Sequence, residues 1–210
     1  MRSTLTSLFG LADRLRHRRR HTAVRQRLAS IGTPRRILVV CTGNVCRSPY
    51  LEALLKRSLP GIRIASAGLV GFDRTVPATA LAIAARRGID LSDFRSQTVE
   101  AHRARSADAV VVMDERQARY LNAYAGIPRG RLIVAGDLDP VPSYSRAITD
   151  PWQKSSGVFE ATFDRLDRCA STLINHWREH AAADVAQRPF PAIKPATRAA
   201  GLAPSPQVQT

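Results

Sequence analysis

From residue 36 onwards, short runs of apolar and β-branched residues alternate with longer stretches that have helical spacing. The short runs, which are typical of strands, cover residues 36–40, 63–66, 109–113 and 132–135. The helical stretches cover residues 77–87, 115–125 and 158–180. Such alternation favours βαβ units with a parallel sheet. We therefore expect an α/β fold, namely a single three-layer domain with a central four-stranded parallel sheet flanked by helices.

Residues with special conformations mark the ends of these helices. Pro77 stands in the first turn of one helix, and Gly88 follows its last turn. Asp114 can cap the next helix, and Gly126 can end it. Proline is favoured at helix starts and glycine just beyond helix ends. The last helix places large apolar side chains on one face, which we expect to be buried: Phe159, Phe163, Leu166, Leu173 and Trp177.

Two segments lie outside this alternating pattern. In residues 1–35, apolar residues at helical spacing precede a run of arginines, which predicts a basic amphipathic N-terminal extension. Its apolar positions are Leu5, Leu8, Phe9, Ala12 and Leu15. Thr33-Pro34 ends this helix, because the residue before a proline is disfavoured in helical conformation. Residues 183–210 are rich in Pro and Ala and are expected to form a disordered tail, which leaves residues 36–182 as the domain.

The net charge of +15 is concentrated at the start of the chain. Residues 1–36 contain ten Arg and one Asp, and so hold nine of the fifteen net charges. The basicity therefore does not indicate a nucleic-acid-binding domain, and no nucleic acid is expected as a partner. Residues 1–30 are candidates for a peripheral contact with an anionic membrane, for docking to an acidic partner, for an organellar transit peptide or for a solvated extension.

Composition also bounds the setting of the protein. With 44% hydrophobic and 23% charged residues, the 210-residue chain is typical of a soluble globular protein. Its three cysteines, an odd number, favour a reducing compartment over a disulfide framework. No apolar run approaches the roughly 18 residues of a membrane span. We expect a cytoplasmic protein, with the inner membrane surface as the place of any peripheral contact.

The run from Cys41 to Ser48 joins the end of the first predicted strand to a helix that begins at Ser48-Pro49. Backbone N–H groups of such a loop converge without partners, and the dipole of the following helix adds positive charge. Gly43 lets the backbone curl, and Asn44 tolerates left-handed conformations while its side chain bridges loop groups. The other residues of the loop are Thr42, Val45, Cys46 and Arg47. The pattern predicts a phosphate-binding loop after the first strand.

Two side chains of this loop have the chemistry of phosphoryl transfer. Cys41 lies where the field that attracts phosphate favours a thiolate, and the Ser48 hydroxyl can donate a hydrogen bond to the sulfur. Arg47 offers a planar fork that can hold two phosphoryl oxygens in binding and in the transition state. We therefore expect Cys41 to be the nucleophile and Arg47 to be the phosphate clamp.

A long Pro- and Ser-rich loop, residues 137–152, supplies the candidates for the proton donor. Asp150 can protonate a leaving phenolate and later accept a proton from water, and Trp152 can stack on the substrate ring. Asp137 and Asp139 lie in the same loop and are the alternatives. No metal or cofactor is expected, because Cys169, His176 and His180 share a helix without a second Cys pair, and glycine patterns for nucleotides are missing.

These motifs resemble low-molecular-weight protein tyrosine phosphatases over residues 36–180. The resemblance is carried by Val40-Cys-Thr-Gly-Asn-Val-Cys-Arg-Ser-Pro49, Ser66-Ala-Gly68, Val-Val-Met113-Asp114 and Asp150-Pro151. It implies hydrolysis of phosphotyrosine through a cysteinyl-phosphate, with Cys41 as nucleophile, Arg47 as clamp, Asn44 and Ser48 as loop organisers and Asp150 as acid and base. Trp152 departs from the family, in which Tyr is more frequent after Asp-Pro.

The residues that follow Asp150, up to Ser155, are also similar to a bacterial branch of that family. This branch dephosphorylates tyrosine autokinases of exopolysaccharide export, so the resemblance implies a bacterial tyrosine kinase as the phosphotyrosine partner. Two alternatives stay open, arsenate reduction at the same loop and a non-catalytic phosphotyrosine-binding adaptor. Arsenate reduction is disfavoured because Cys169 alone follows Cys46 for an electron relay. Cys46 is either a small loop residue or a thiol that captures oxidised Cys41.

Overall fold

A computed structural model describes the backbone of residues 2–187 and the side chains of residues 11–181. The strands are β1 (Arg36–Cys41), β2 (Arg63–Gly68), β3 (Ala109–Val112) and β4 (Leu132–Val134). The helices are α1 (Arg2–Ile31), α2 (Arg47–Ser58), α3 (Ala78–Arg86), α4 (Ala101–Ser106), α5 (Glu115–Ala125) and α6 (Ser156–Gln187). Short 3₁₀ turns occupy Arg129–Arg131 and Ala135–Asp137.

The four strands form one parallel sheet in the order β2-β1-β3-β4. Strand β1 is central, and its residue Cys41 pairs with Gly68 of β2. On its other side, Val40 pairs with Val112 of β3. The carboxyl ends of these three strands therefore meet at one edge of the sheet, with the loop after β1 in the middle.

Alternating side chains of the strands divide the core into two clusters, one on each face of the sheet. Ile37 and Val39 of β1 point into the larger cluster, which is covered by residues of α1, α2, α3 and α6. Leu38 and Val40 point into the smaller cluster, which is covered by α4 and α5. Helices on both faces of a parallel sheet make three layers. The predicted three-layer α/β fold is confirmed.

Most of the residues that were expected to begin, end or bury a helix do so in the structure. The Asp114 carboxylate caps α5 by accepting the N–H of Gln117 at 2.8 Å, and Gly126 ends the helix with φ of 64°. The five apolar residues predicted on one face of α6 are all buried. Helix α4 was not predicted, because its six residues bury only Ala104 and so carry no helical period.

Helix α1 packs against the domain through its second half. Val24 and Leu28 are buried in the larger cluster, and Arg27 donates to the carbonyl oxygen of Leu132 at 2.7 Å. Leu15, which belongs to the predicted apolar stripe, is instead 49% exposed. The side chains of Leu5, Leu8 and Phe9 lie outside the described residues. The residues through which α1 contacts the domain thus come later in the chain than the predicted apolar stripe, which ends at Leu15.

Helix α6 is longer than the apolar pattern indicates, since it continues from the predicted end at residue 180 to Gln187. It enters the segment predicted as a disordered tail, and the rest of that segment, residues 188–210, lies outside the described residues. Within residues 2–187, no helix combines the length and the hydropathy needed to cross a bilayer.

Candidate functional site

The loop from Cys41 to Arg47 forms the floor of a cavity of about 180 Å³ at the carboxyl edge of the sheet. Ligand sites of parallel α/β sheets lie at this edge. The cavity is lined by Cys41, Thr42, Gly43, Val45, Cys46, Arg47, Val70, Arg74, Asp150 and Trp152. Two predicted site residues, Asn44 and Ser48, are fully buried beneath the lining and contact it from below. The structure therefore brings every predicted site residue to one place.

The sulfur of Cys41 accepts two hydrogen bonds from its own loop. The Ser48 hydroxyl donates to Cys41 Sγ at 3.0 Å, and the backbone N–H of Asn44 donates to it at 3.2 Å. Cys41 ends β1, while Ser48 lies in the first turn of α2, so the loop folds back on itself. Two donors directed at one sulfur stabilise negative charge there, as a nucleophile requires.

Asn44 organises the loop from below. Its φ of 50° is left-handed, which Asn tolerates better than most residues. Its Nδ2 donates to Ser48 Oγ at 2.9 Å and to Ser66 Oγ at 2.7 Å, while its Oδ1 accepts the N–H of Gln97 at 2.8 Å. One side chain thus joins the loop to β2 and to the segment before α4.

Glu52 extends this network and was not assigned a role from the sequence. The Ser66 hydroxyl donates to Glu52 Oε2 at 2.5 Å, and Lys56 Nζ lies 2.5 Å from Glu52 Oε1. Glu52 is 8% exposed, and a buried carboxylate needs such partners. Only the contact with Lys56, four residues further along α2, has a signal in the sequence, whereas the contact with Ser66 joins separate elements.

Arg47 connects the loop to the segment that carries the predicted acid. Its Nη1 donates to the carbonyl oxygen of Ile148 at 3.0 Å, and its Nη2 donates to Thr42 Oγ1 at 3.3 Å. Nη2 also forms an ion pair with the carboxylate of Asp150. The guanidinium is almost entirely buried, whereas the Asp150 side chain is 44% exposed. The pair therefore lies at the boundary between the cavity and solvent.

Thr42 has a second donor that sequence reasoning missed. Gln117, in the first turn of α5, reaches Thr42 Oγ1 with Nε2 at 3.4 Å and accepts the N–H of Met113 with Oε1 at 2.9 Å. Gln117 is 3% exposed, so its amide groups must find partners inside the protein. The end of β3 and the start of α5 thereby support the loop from the side opposite Asn44.

Of the three acidic residues in the long loop, Asp150 alone lines the cavity. Asp137 is buried and binds Arg146 through both carboxylate oxygens. Asp139 is 1% exposed and binds Arg165 and Arg168 of α6. Asp139 thus attaches the loop to α6, and Asp137 joins two parts of the loop to each other. Their geometry leaves Asp150 as the candidate for proton transfer.

Burial keeps the other two thiols in their neutral form. It raises the pKa of Cys46 to about 12, and the nearby charges of Cys41 and Asp150 act in the same direction. Burial likewise raises the pKa of Cys169 to about 12, with a further contribution from Asp139. All three cysteines are free. Neither Cys46 nor Cys169 is therefore a thiolate at neutral pH.

The wall of the cavity includes Trp152 and Arg74. The backbone N–H of Trp152 donates to Asp150 Oδ1 at 3.2 Å, so the two residues share one turn. Arg74, which the sequence did not single out, donates from Nη2 to the carbonyl oxygen of Gly43 at 2.9 Å. Its guanidinium carbon lies 5.7 Å from the centroid of the Trp152 ring. An aromatic wall and a second cation therefore border the phosphate loop.

Comparison with known proteins gives the same picture. The family model for low molecular weight phosphotyrosine protein phosphatases matches residues 36–184. The low molecular weight protein-tyrosine-phosphatase Etp of Escherichia coli (strain K12) is 36% identical over 135 residues, which are 64% of this chain and 88% of Etp. The matched span begins at β1, so α1 lies outside it.

Two solved structures extend the likeness to three dimensions. The tyrosine phosphatase AmsI of Erwinia amylovora is 34% identical with a TM-score of 0.63, over 68% of this chain and 92% of AmsI. The tyrosine phosphatase Wzb from Escherichia coli K30, in complex with sulphate, is 31% identical with a TM-score of 0.63, over 68% of this chain and 97% of Wzb. With its sheet, loop and acid-bearing segment all inside the matched residues, this chain belongs to the low molecular weight phosphotyrosine protein phosphatase family.

Proposed function

We propose that this protein is a protein-tyrosine phosphatase that hydrolyses phosphotyrosine through a phosphorylated Cys41. The observation that carries the proposal is the position of Cys41 Sγ, which accepts hydrogen bonds from Ser48 and Asn44 at the floor of a cavity bordered by Arg47 and Asp150. A nucleophile, an anion clamp and a proton donor thus share one small cavity. These are the groups that phosphoryl transfer to a thiolate requires.

In the first half-reaction, the phosphoryl oxygens bind the loop N–H groups and Arg47. The Cys41 thiolate attacks phosphorus, an S–P bond forms, and the bond from phosphorus to the tyrosine oxygen breaks. Asp150 gives its proton to the departing phenolate, which leaves as tyrosine. Arg47 holds the charge that develops on the equatorial oxygens.

In the second half-reaction, water replaces tyrosine next to Asp150, which is now a carboxylate. Asp150 accepts a proton as the water oxygen attacks phosphorus, the S–P bond breaks, and inorganic phosphate and the Cys41 thiolate are released. Ser48 and Asn44 stabilise the sulfur as leaving group in this step, just as they stabilise it as nucleophile in the first. One carboxylate and one sulfur therefore serve both steps.

The exchange of partners at Arg47 belongs to this cycle. In the structure its Nη2 binds Asp150. A phosphoryl oxygen that takes this place separates the Asp150 carboxylate from its cation, so that the carboxylate can take a proton from water and face the leaving oxygen as a carboxylic acid. Arg47 keeps its bond from Nη1 to the Ile148 carbonyl, which fixes the guanidinium plane. Substrate binding and orientation of the acid are thus coupled through one guanidinium.

Selection of tyrosine follows from the depth and the walls of the cavity. Cys41 is 2% exposed at the floor, so the longer side chain of phosphotyrosine should reach it more readily than that of phosphoserine. Val70 and Trp152, which are 55% and 42% exposed, offer apolar surface at the mouth for an aromatic ring. The complex of the related Wzb with sulphate is consistent with a loop built for a tetrahedral oxyanion.

The test is turnover of p-nitrophenyl phosphate and of matched phosphotyrosine and phosphoserine peptides, without added reductant. Cys41→Ser should abolish turnover, whereas Cys169→Ala, which changes a cysteine in α6, should retain it. Mass spectrometry of rapidly quenched Asp150→Ala protein should find phosphate on Cys41. Activity on arsenate alone, and only with a thiol donor, would instead favour arsenate reduction. Binding of phosphotyrosine peptide without any turnover would favour an adaptor.

The physiological partner we propose is a phosphotyrosine protein, with a bacterial tyrosine autokinase of exopolysaccharide export as the specific candidate. The support is the resemblance of residues 150–155 to that branch of the family, together with relatives that are named tyrosine phosphatases. Loss of phosphotyrosine from such a purified autokinase should occur with the wild type and not with Cys41→Ser. An autokinase that stays phosphorylated while p-nitrophenyl phosphate is consumed would rule out this partner.

A peripheral contact of α1 with an anionic membrane is a further proposal. Arg14, Arg18, Arg19 and Arg25 are exposed on this helix. Because Leu28 is buried, deletion of the helix would disturb the core, so charge reversal is the cleaner test. Arg18→Glu with Arg19→Glu should reduce co-sedimentation with phosphatidylserine vesicles. Arg116→Glu with Arg119→Glu, a matched exposed pair on α5, should not; equal effects would exclude a specific contact.

A further inference from the structure

Arg74 lies between β2 and α3 and borders the same cavity as Cys41 and Asp150. Its Nη2 donates to the Gly43 carbonyl at 2.9 Å, and its guanidinium carbon lies 5.7 Å from the ring centroid of Trp152. The first contact joins it to the phosphate loop and the second joins it to the aromatic wall. Arg74 therefore connects the two parts of the site that a substrate must touch together.

The backbone holds Arg74 in this position. Its N–H donates to Ser96 Oγ at 2.9 Å, and its carbonyl accepts the N–H of Ser96 at 3.0 Å. Ser96 is 1% exposed and also accepts the N–H of Asp73 with its carbonyl at 2.9 Å. A residue bound on both sides by a buried neighbour is fixed at its Cα. The base of the side chain is thus fixed, and the bond from Nη2 to the Gly43 carbonyl positions the guanidinium.

Two glycines make room for the guanidinium. A Cβ atom at Gly43 or at Gly71 would collide with the Arg74 side chain. Gly71 also has φ of 84°, a left-handed conformation that a residue with a Cβ rarely adopts. The two glycines therefore leave the space that the Arg74 side chain occupies in this structure.

The charge of Arg74 has no counter-ion within the part of the chain whose side chains are described, since no carboxylate of residues 11–181 lies within ion-pair distance. Arg47, at the same cavity, pairs with Asp150. Arg87, elsewhere on the surface, pairs with three carboxylates of α6. A half-buried guanidinium that is left without a carboxylate partner presents positive charge to whatever enters the cavity mouth.

We propose that Arg74 is a specificity-determining residue, which favours phosphotyrosine that has an acidic side chain, Asp or Glu, next to it in the peptide. The apolar side chains at the mouth are Val70 and Trp152, and the carboxylate of Asp150 there is paired with Arg47. Arg47 binds the phosphoryl group at the floor of the cavity. The positive charge of Arg74 at the mouth is therefore available to bind the rest of the peptide. The proposal rests on the proposed phosphotyrosine hydrolysis and deepens it.

The expected preference is modest. Exposed or partly exposed ion pairs contribute up to about 1 kcal/mol, which corresponds to roughly a five-fold difference in kcat/KM. The preference should shrink as ionic strength rises, because salt screens charges at a solvent-facing rim. Arg74→Lys should retain part of it, since lysine keeps the charge but loses the planar contact with Trp152.

The experiment compares two phosphotyrosine peptides that differ only by Glu or Gln next to the phosphotyrosine. The wild type should prefer the Glu peptide about five-fold, and Arg74→Gln should treat both alike. Arg95→Gln, which removes an exposed arginine whose Nη1 donates to the carbonyl of its neighbour Phe94, should keep the preference. Turnover of p-nitrophenyl phosphate, which has no flanking residues, measures damage to the chemistry separately.

A binding measurement separates this proposal from the proposed function. Affinities of both peptides for Cys41→Ser, with and without Arg74→Gln, report the preference whether or not the wild type is an active enzyme. A preference for Glu that depends on Arg74 supports the proposal. Equal affinities in the presence of Arg74, or a preference that survives its removal, overturn it. Failure of the wild type to hydrolyse p-nitrophenyl phosphate would overturn the proposed function instead.

Discussion

Ser48 Oγ lies 3.0 Å from Cys41 Sγ and donates its hydrogen to the sulfur, although seven residues separate the two in the chain. Both side chains are buried, so water cannot replace the hydroxyl. The orientation of the hydroxyl is set in turn by Asn44, whose Nδ2 donates to Ser48 Oγ at 2.9 Å. Ser48 is therefore a donor that is already directed at the charge on sulfur before substrate arrives.

Replacement of Ser48 by Ala should slow both half-reactions. A hydrogen bond to a charged group contributes about 1.5–3 kcal/mol, so kcat should fall roughly 10- to 100-fold. Single-turnover kinetics with p-nitrophenyl phosphate measure the rate of the first half-reaction. Steady-state kinetics measure the rate of whichever half-reaction is slower. Ser58→Ala, at the far end of the same helix, should leave both unchanged. Wild-type rates for Ser48→Ala would remove the hydroxyl from the mechanism.

The pair of Arg47 and Asp150 leads to a prediction with two opposite effects. Asp150→Asn removes the proton donor, so kcat for aryl phosphates with basic leaving groups should fall about 10²- to 10⁴-fold. The same change removes a negative charge from Arg47 Nη2, so inorganic phosphate should inhibit more strongly than it inhibits the wild type. Inhibition constants and a series of leaving groups measure the two effects. Asp73→Asn, which keeps a residue that tolerates its φ of 52°, is the control.

Weaker inhibition by phosphate in Asp150→Asn would contradict the exchange of partners at Arg47. An equal loss of kcat for good and poor leaving groups would contradict the role of Asp150 as the acid. The two parts of the prediction can therefore fail separately.

The part of the fold that was predictable rests on local signals. Apolar runs indicated all four strands to within two residues at each end. Asp114 and Gly126 lie at the two ends of α5, as expected. The loop from Cys41 to Ser48 was predictable for the same reason, since all of its groups lie within eight residues. Periodicity and capping act over such distances. They fail for α4, where Ala104 alone is buried.

The support around the loop was not predictable, because it is assembled from distant segments. Ser66, in β2, accepts a hydrogen bond from Asn44 and donates one to Glu52. The N–H of Gln97 donates to the other end of the Asn44 amide. No spacing rule relates residues 52, 66 and 97. Arg74 is similar, because its place depends on left-handed backbone at neighbouring residues and on room left by glycines. Such contacts follow from the folded topology and not from any local pattern.

The packing of α1 can be tested at Leu28. This side chain is fully buried in the larger core cluster, so Leu28→Ala should lower the free energy of unfolding by about 2–5 kcal/mol. Leu15→Ala changes a leucine of the same helix that is 49% exposed, and should cost less than about 0.5 kcal/mol. Urea unfolding measures both. If both substitutions changed the free energy of unfolding only slightly, α1 would add little to the stability of the domain, as its position outside the family match first suggests.

His17 is a polar residue of α1 that is buried against the long loop. It is 5% exposed, and its Nδ1 accepts the N–H of Ser143 at 3.4 Å. A protonated imidazole has no lone pair for this bond. Burial lowers the pKa of His17, and the charges of Arg20, His21 and Arg165 lower it further, against an opposing effect of Asp139. The folded protein therefore favours the neutral form of His17.

This preference predicts a dependence of stability on pH. An unfolded histidine titrates near about pH 6.5, whereas His17 in the folded protein takes up its proton only at lower pH. The stabilisation is complete above that value and is lost as pH falls from it towards the folded pKa. The free energy of unfolding in urea should therefore drop as the pH is lowered below about 6.5, and His17→Gln should reduce the drop. His102→Gln, which changes an exposed histidine, should not, and an identical drop in His17→Gln would show that other groups cause it.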